Sequence, residues 1–128
     1  MLYKNVSKIV DEMFPEWLLS AEYEASEPPL PYVQFGSLTS YIISVLKSSN
    51  YNNSEIIERY FNLLNSMLES NDDVISTLAF LEGAENLIQQ KEVFDFSFNK
   101  FNTSTKKDIL KQYNNIPYVS SKENYAKN

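Results

Sequence analysis

Apolar residues in this chain return at every third or fourth position through most of its length, and that rhythm commits it to helices before any other feature is considered. Leu2, Val6, Ile9, Val10 and Met13 mark residues 2–13 as a first amphipathic helix. Pro15 stops it and suits the first turn of a short second helix running to about Tyr23, with Glu16 near the positive end of the helix dipole. Glu27-Pro28-Pro29-Leu30-Pro31 reads as an extended break. A stripe of Leu30, Val33, Leu38, Tyr41, Ile42, Val45 and Leu46 then predicts a helix over about 32–48. Asn50 to Asn53 is turn-like, and Asn53 or Ser54 caps a fourth helix carrying Ile56, Ile57, Tyr60, Phe61, Leu64, Met67 and Leu68.

Asn71 or Asp72 caps a fifth helix in which Val74, Ile75, Leu78, Ala79, Leu81, Leu87 and Ile88 are apolar nearly all round, the pattern of a central element. Gly83 inside it costs about 1 kcal/mol relative to Ala, which predicts close approach by a neighbouring helix. From Phe94 the period changes to two: Phe94, Phe96 and Phe98 alternate with Asp95, Ser97 and Asn99, so an extended Phe-rich arm is expected before the last helix. Thr105 and Asp108 resemble a capping box opening that helix, which ends before Pro117. The expected architecture is all-α: one domain over residues 1–118 with five or six helices, followed by a frayed polar tail over 119–128. The apolar share, 43%, supports a real core, since a domain near this size buries roughly two-thirds of its unfolded surface.

The side chains that are missing narrow the chemistry. There is no His, no Cys and one arginine, Arg59, which excludes Ser-His-Asp and Cys-His catalysis, His/Cys zinc sites and the Glu-x-x-His di-iron helix. Carboxylates, Tyr, Lys and Ser/Thr remain. No run is apolar enough for a membrane span or a secretory core, so a cytoplasmic protein without cofactor or metal is expected.

Charge is unevenly placed. Residues 1–95 hold fifteen acids against five bases, net −10, while residues 96–128 hold two acids against six lysines, net +4. Asp11, Glu12, Glu16, Glu22, Glu24 and Glu27 fall in one stretch with no base among them, interleaved with Phe14, Trp17, Leu18, Leu19 and Tyr23. An acidic body repels phosphate backbones and attracts basic partners. The same alternation also suits an amphipathic helix with a solvated face. Lys100, Lys106, Lys107 and Lys111 with Tyr113 and Tyr118 have the composition of a nucleic-acid grip, and equally of an intramolecular complement to the acidic body, which is the reading adopted.

Glu55 and Glu58, then Glu82 and Glu85, form two Glu-x-x-Glu pairs on successive helices. Packed antiparallel, such pairs could present four carboxylates to Mg²⁺. They resemble the acidic motifs of all-α nucleoside triphosphate pyrophosphohydrolases, except that Glu85 stands where that family has Asp and the body is poor in the Lys/Arg that hold a triphosphate. Solvated surface pairs are the alternative.

Nine tyrosines and one tryptophan exceed what a small core needs, and together with carboxylates they suit a protein interface. Met13-Phe14-Pro15-Glu16, Pro31-Tyr32-Val33-Gln34-Phe35-Gly36 and Phe80-Leu81-Glu82-Gly83, read together over about residues 10–90, resemble small helical bacterial immunity proteins encoded beside polymorphic or contact-dependent toxins. The resemblance implies a cytoplasmic inhibitor, not an enzyme, that covers the active site of a cognate toxin, a basic nuclease being the natural target of an acidic surface. Glu16, Trp17, Glu22, Tyr23, Glu24 and Glu27 are the expected contact residues. The pyrophosphohydrolase and a generic helical adaptor are the alternatives.

Overall fold

A computed structural model describes residues 1, 3–20, 23 and 30–123. Among them there is no strand: the chain is all-helical. A 3₁₀ turn over Tyr3–Asn5 leads into α1 (Val6–Met13), and Phe14, fully buried at φ −129°, breaks the helix before Pro15 opens α2 (Pro15–Leu18). Pro31 likewise occupies the first turn of α3 (Pro31–Ser48), where its missing N–H has no helical partner to lose. Asn50 and Tyr51 follow at φ 54° and 61°, and the Tyr51 N–H returns to the Leu46 carbonyl at 2.6 Å. Asparagine takes this left-handed conformation readily; tyrosine does so at a cost of about 1–2 kcal/mol, offset by its ring lying 6.3 Å from Phe96.

Beyond that turn lie α4 (Glu55–Leu68) and α5 (Asp73–Ala79), the latter capped by Asp72, whose carboxylate accepts from the Val74 N–H at 2.9 Å. A π-helical turn, Phe80–Ala84, joins α5 to α6 (Glu85–Ile88) with helical dihedrals at both joints, so the three form one rod. Then come α7 (Lys91–Ser97) with a 3₁₀ extension (Phe98–Lys100), α8 (Thr103–Gln112) and α9 (Pro117–Ser120). With the rod taken as one element this makes eight α-helices among the described residues, where five or six were expected.

The Phe-rich arm is a correction: residues 91–100 are helical. Phe94, Phe98 and Phe101 stand at i, i+4 and i+7 and are buried together with Val93 and Ser97, while Phe96, half-buried, turns to Tyr51 and Phe61. Period two and period 3.6 share several of these positions, and burial on two sides hid the helical stripe. The expected cap is also displaced: Asn102, not Thr105, begins α8, accepting from the Thr105 N–H at 2.8 Å, and Thr105 lies buried inside the helix. Pro117 both follows α8 and starts α9, whose Val119 is fully buried, while Lys122 reaches Asp95 at 3.1 Å. Packing therefore extends past residue 118; residues 124–128 of the expected tail lie outside the described residues.

Helix α3 is the hub, lying against α1, α4, α5, the π turn and α6. Gly83 sits where α3 and α4 meet the rod: a Cβ there would come within 2.6 Å of Leu64 Cδ1, 3.1 Å of Phe35 Cε2 and 3.3 Å of the Tyr60 hydroxyl. Close helix approach is thus the reason for this glycine, as its position in the sequence suggested. The Tyr60 hydroxyl and Thr39 Oγ1 are hydrogen-bonded at 2.8 Å, and Thr39 also donates to the Phe35 carbonyl, so the polar atoms beside Gly83 satisfy one another.

Candidate functional site

The expected contact stretch is built inward. Trp17 is fully buried, its indole N–H donating to Ser37 Oγ at 3.0 Å, and Tyr23 packs edge-on against it with centroids 4.8 Å apart. Trp17 is a core residue, and Tyr23 is partly buried against it. Glu16 is bound to Arg59, whose guanidinium meets its two oxygens at 2.7 and 3.3 Å, meets Glu55 at 2.8 and 2.9 Å, donates to the Met13 carbonyl at 2.5 Å and lies over the Phe14 ring. The lone arginine therefore clamps the α1–α2 junction to α4. Its hydrogen bond holds the Glu16 carboxyl below the usual carboxylate range. Glu22, Glu24 and Glu27 lie outside the described residues. What the stretch does expose is Leu18 and Leu19, the latter 92% exposed.

The four pyrophosphohydrolase carboxylates do not meet. Glu55 is held by Arg59, and Glu58 accepts from Asn53 Nδ2 at 2.6 Å and Lys100 Nζ at 2.7 Å. Glu85 accepts from the Tyr113 hydroxyl, and Glu82 lies over Gly36, where burial, and then the nearby Glu85, push its pKa up. Among the described residues no group of three or more acids could hold a metal ion. Several aromatic and lysine residues of the C-terminal third are engaged internally, Lys100 lying over Phe96 as well as pairing with Glu58, Lys106 lying over Phe98 and Tyr118 donating to the Ile88 carbonyl, while Lys107 and Lys111 are exposed.

Once these pairings are made, one group of acids without an ion pair lies at the corner between α4 and α5; Glu92 and Asp108, both exposed, also make none among the described residues. Glu69, Asp72 and Asp73 stand together there, and among the described residues none of them makes an ion pair. A hollow of about 430 Å³ on one side is lined by Met1, Ser66, Met67, Glu69, Ser70, Asn71, Asp72 and Ile75. A groove of about 300 Å³ on the other runs between the rod and α8, walled by Leu68, Ser76, Thr77, Phe80, Leu81, Ser104, Thr105 and Asp108. No Lys or Arg lines either among the described residues. Between them Val74 and Leu81, 49% and 43% exposed and seven residues apart along the rod, face solvent with Thr77. Acids without an ion pair around exposed aliphatic side chains thus place negative charge and apolar area on one surface. The sequence pointed the other way, since a helix apolar nearly all round was expected to be central, whereas Val74 and Leu81 are exposed and α3 is the hub. Which acids remain unpaired depends on folding.

No protein-family model, curated protein or solved structure matches the chain. No helix among the described residues is long and apolar enough to cross a membrane.

Proposed function

We propose that this chain is an immunity-type inhibitor that acts in the cytoplasm by binding a basic toxin domain, a nuclease in the simplest case, and covering its active site. The observation that carries the reading is the α4–α5 corner, where Glu69, Asp72 and Asp73 keep their charge unpaired beside exposed Val74 and Leu81. This surface replaces the Trp17 stretch as the proposed contact. Trp17 belongs to the core with Tyr23 partly buried against it, and Glu16 serves the Arg59 clamp. Binding rather than catalysis suits a side-chain inventory without His or Cys and Glu-x-x-Glu pairs of which Glu55, Glu58 and Glu85 are engaged within the fold.

Co-expression with the toxin domain encoded by the adjacent gene tests it. A stable one-to-one complex that blocks the toxin's activity is expected, and Asp73→Lys with Leu81→Lys should weaken it at least about tenfold, a loss of about 1.4 kcal/mol, without loss of helix content. No complex, or a complex indifferent to those substitutions but broken at Glu16, would refute the assignment.

A further inference from the structure

The two walls of the groove between the rod and α8 differ in kind. On the side of the rod Leu68, Phe80 and Leu81 supply apolar surface, with the Ser76 and Thr77 hydroxyls beside them, and Leu81, 43% exposed, carries that wall out to solvent. On the other side Ser104, Thr105 and Asp108 share one face of α8, the carboxylate one turn beyond the two hydroxyls with β-carbons about 5–6 Å apart. Asp108 is exposed and makes no ion pair among the described residues. Thr105 is only 5% exposed, yet its Oγ1 makes no hydrogen bond among the described residues and is not sealed from solvent. A hydroxyl buried to that degree normally finds a partner within the fold; here the groove is the route by which one reaches it.

These walls are rich in acceptors and poor in donors. Ser104 Oγ donates to Asn102 Oδ1 at 3.1 Å and Ser76 Oγ to the Asp73 carbonyl at 3.3 Å, so both are left with lone pairs to offer, and an ionised Asp108 accepts only. No Lys, Arg, Asn, Gln or Trp lines the groove among the described residues. Lys106 lies over the Phe98 ring, and Lys107 and Lys111, both exposed, are not part of either wall. A ligand must therefore bring the donors. An anion would face Asp108 on one side and Asp72 and Asp73, at the start of α5, on the other. At about 300 Å³ the groove is at the small end for bound ligands, room for one long side chain and too little for a nucleotide. Its acceptors are a carboxylate and separate hydroxyls, which the diverging donors of an ammonium meet one by one, whereas the planar fork of a guanidinium matches the carboxylate alone.

We propose that this groove receives a lysine side chain of the protein partner, its stem along Leu68, Phe80 and Leu81 and its ammonium between Asp108 and Thr105 Oγ1. The inference rests on the toxin reading for the source of the lysine and on the groove alone for its chemistry. It carries the contact from the α4–α5 corner across to α8 and divides the work between them. The exposed acids of the corner act at long range on the rate of encounter, and a lysine held in the groove acts on the rate of dissociation.

The test is a backbone-amide NMR titration of the full chain with a blocked tripeptide carrying one lysine, with the same peptide acetylated on the lysine side-chain nitrogen, and with its arginine counterpart. Saturable shifts confined to residues 68, 76–81 and 104–108, given by the lysine peptide, weaker with arginine and absent with acetyl-lysine, support the site. Asp108→Asn should weaken lysine binding at least about fivefold, the loss of one charge-assisted hydrogen bond. Thr105→Val, which keeps the buried volume, should weaken it less, and Glu92→Gln, the same loss of charge on α7, should leave it unchanged. No shift with the lysine peptide at millimolar concentration, equal shifts with acetyl-lysine, tighter binding of arginine than of lysine, or equal losses in Asp108→Asn and Glu92→Gln would overturn it. Should Thr105→Val fail to fold, Asp108→Asn, at an exposed position, decides. Dissociation of the adjacent-gene toxin complex separates the two readings. Lysine-peptide binding with no toxin complex refutes the toxin and keeps the groove, whereas a toxin complex that dissociates at the wild-type rate in Asp108→Asn, with no peptide binding, refutes the groove and keeps the toxin.

Discussion

Two helical glycines, Gly36 and Gly83, offer a paired test of the packing, because a Cβ at either would meet its nearest neighbour at 2.6 Å and the outcomes should nevertheless be opposite. At Gly83 the added methyl enters a closed space. Leu64 is fully buried, Phe35 is stacked on Tyr60 with centroids 6.0 Å apart, and the Tyr60 hydroxyl is fixed by Thr39, so none of the three neighbours can withdraw freely. Overpacking of this kind costs about 1–3 kcal/mol, and three constrained neighbours place it near the upper end; the helix-propensity gain of about 1 kcal/mol leaves a net loss of about 2 kcal/mol. At Gly36 the near atom is the Glu82 carboxylate, the far end of a half-buried side chain that can swing into water. The propensity gain then dominates. With an unfolding entropy of about 2.1 cal/mol/K per residue, 128 residues give about 4 °C per kcal/mol. Gly83→Ala should therefore lower Tm by about 8 °C, and Gly36→Ala should hold it level or raise it by up to about 4 °C, both read by calorimetry. A Gly83→Ala protein as stable as the wild type, or a Gly36→Ala protein that falls as far as Gly83→Ala, would refute the convergence of α3 and α4 on the π turn.

Arg59→Met keeps the stem but removes the clamp on Glu16, Glu55 and the Met13 carbonyl. Because both acids are substantially exposed, the expected loss is about 2 kcal/mol, most of it from the part-buried carbonyl, measured by urea denaturation. The Glu16 pKa is depressed in the fold, so its contribution is present above the ordinary value of 4.5 and is lost as pH falls through the folded value. In Arg59→Met that part of the acid loss should vanish; an unchanged acid limb would contradict it. Glu82 runs the other way. Its pKa is raised, so protonation favours the fold and its stabilisation fades as pH rises above 4.5. Glu82→Gln should match or exceed the wild-type Tm at pH 7 and gain less on mild acidification, and a clear loss at pH 7 would count against a burial-dominated carboxyl.

Helical stripes, Pro15 at the start of α2, the Asp72 cap and the reason for Gly83 were all legible because each is a local relation between residue type and backbone need, whereas Pro31, read as part of an extended break, opens α3. Phe94 to Phe101 were not, since a helix buried on two faces mimics alternation. The π turn left no mark: Phe80-Leu81-Glu82-Gly83-Ala84 reads as ordinary helix, and the extra residue is accommodated only by packing against α3. How the candidate contact residues are engaged within the fold was illegible for a related reason. Counting acids locates formal charge, and a run from Asp11 to Glu27 looks strongest, but Arg59 lies 43 residues from Glu16 and Ser37 lies 20 from Trp17, so what neutralises the one and buries the other is invisible locally.

The most direct measurement of the central proposal is the association rate of this chain with the adjacent-gene toxin domain as a function of ionic strength, by stopped flow, for the wild type and for a Glu69→Lys, Asp73→Lys variant. Electrostatic steering by the α4–α5 corner predicts a rate that falls steeply with salt, by up to about 10–10³-fold, and a variant that is slow and nearly salt-independent. A wild-type rate indifferent to salt, or a variant indistinguishable from it, would contradict the account.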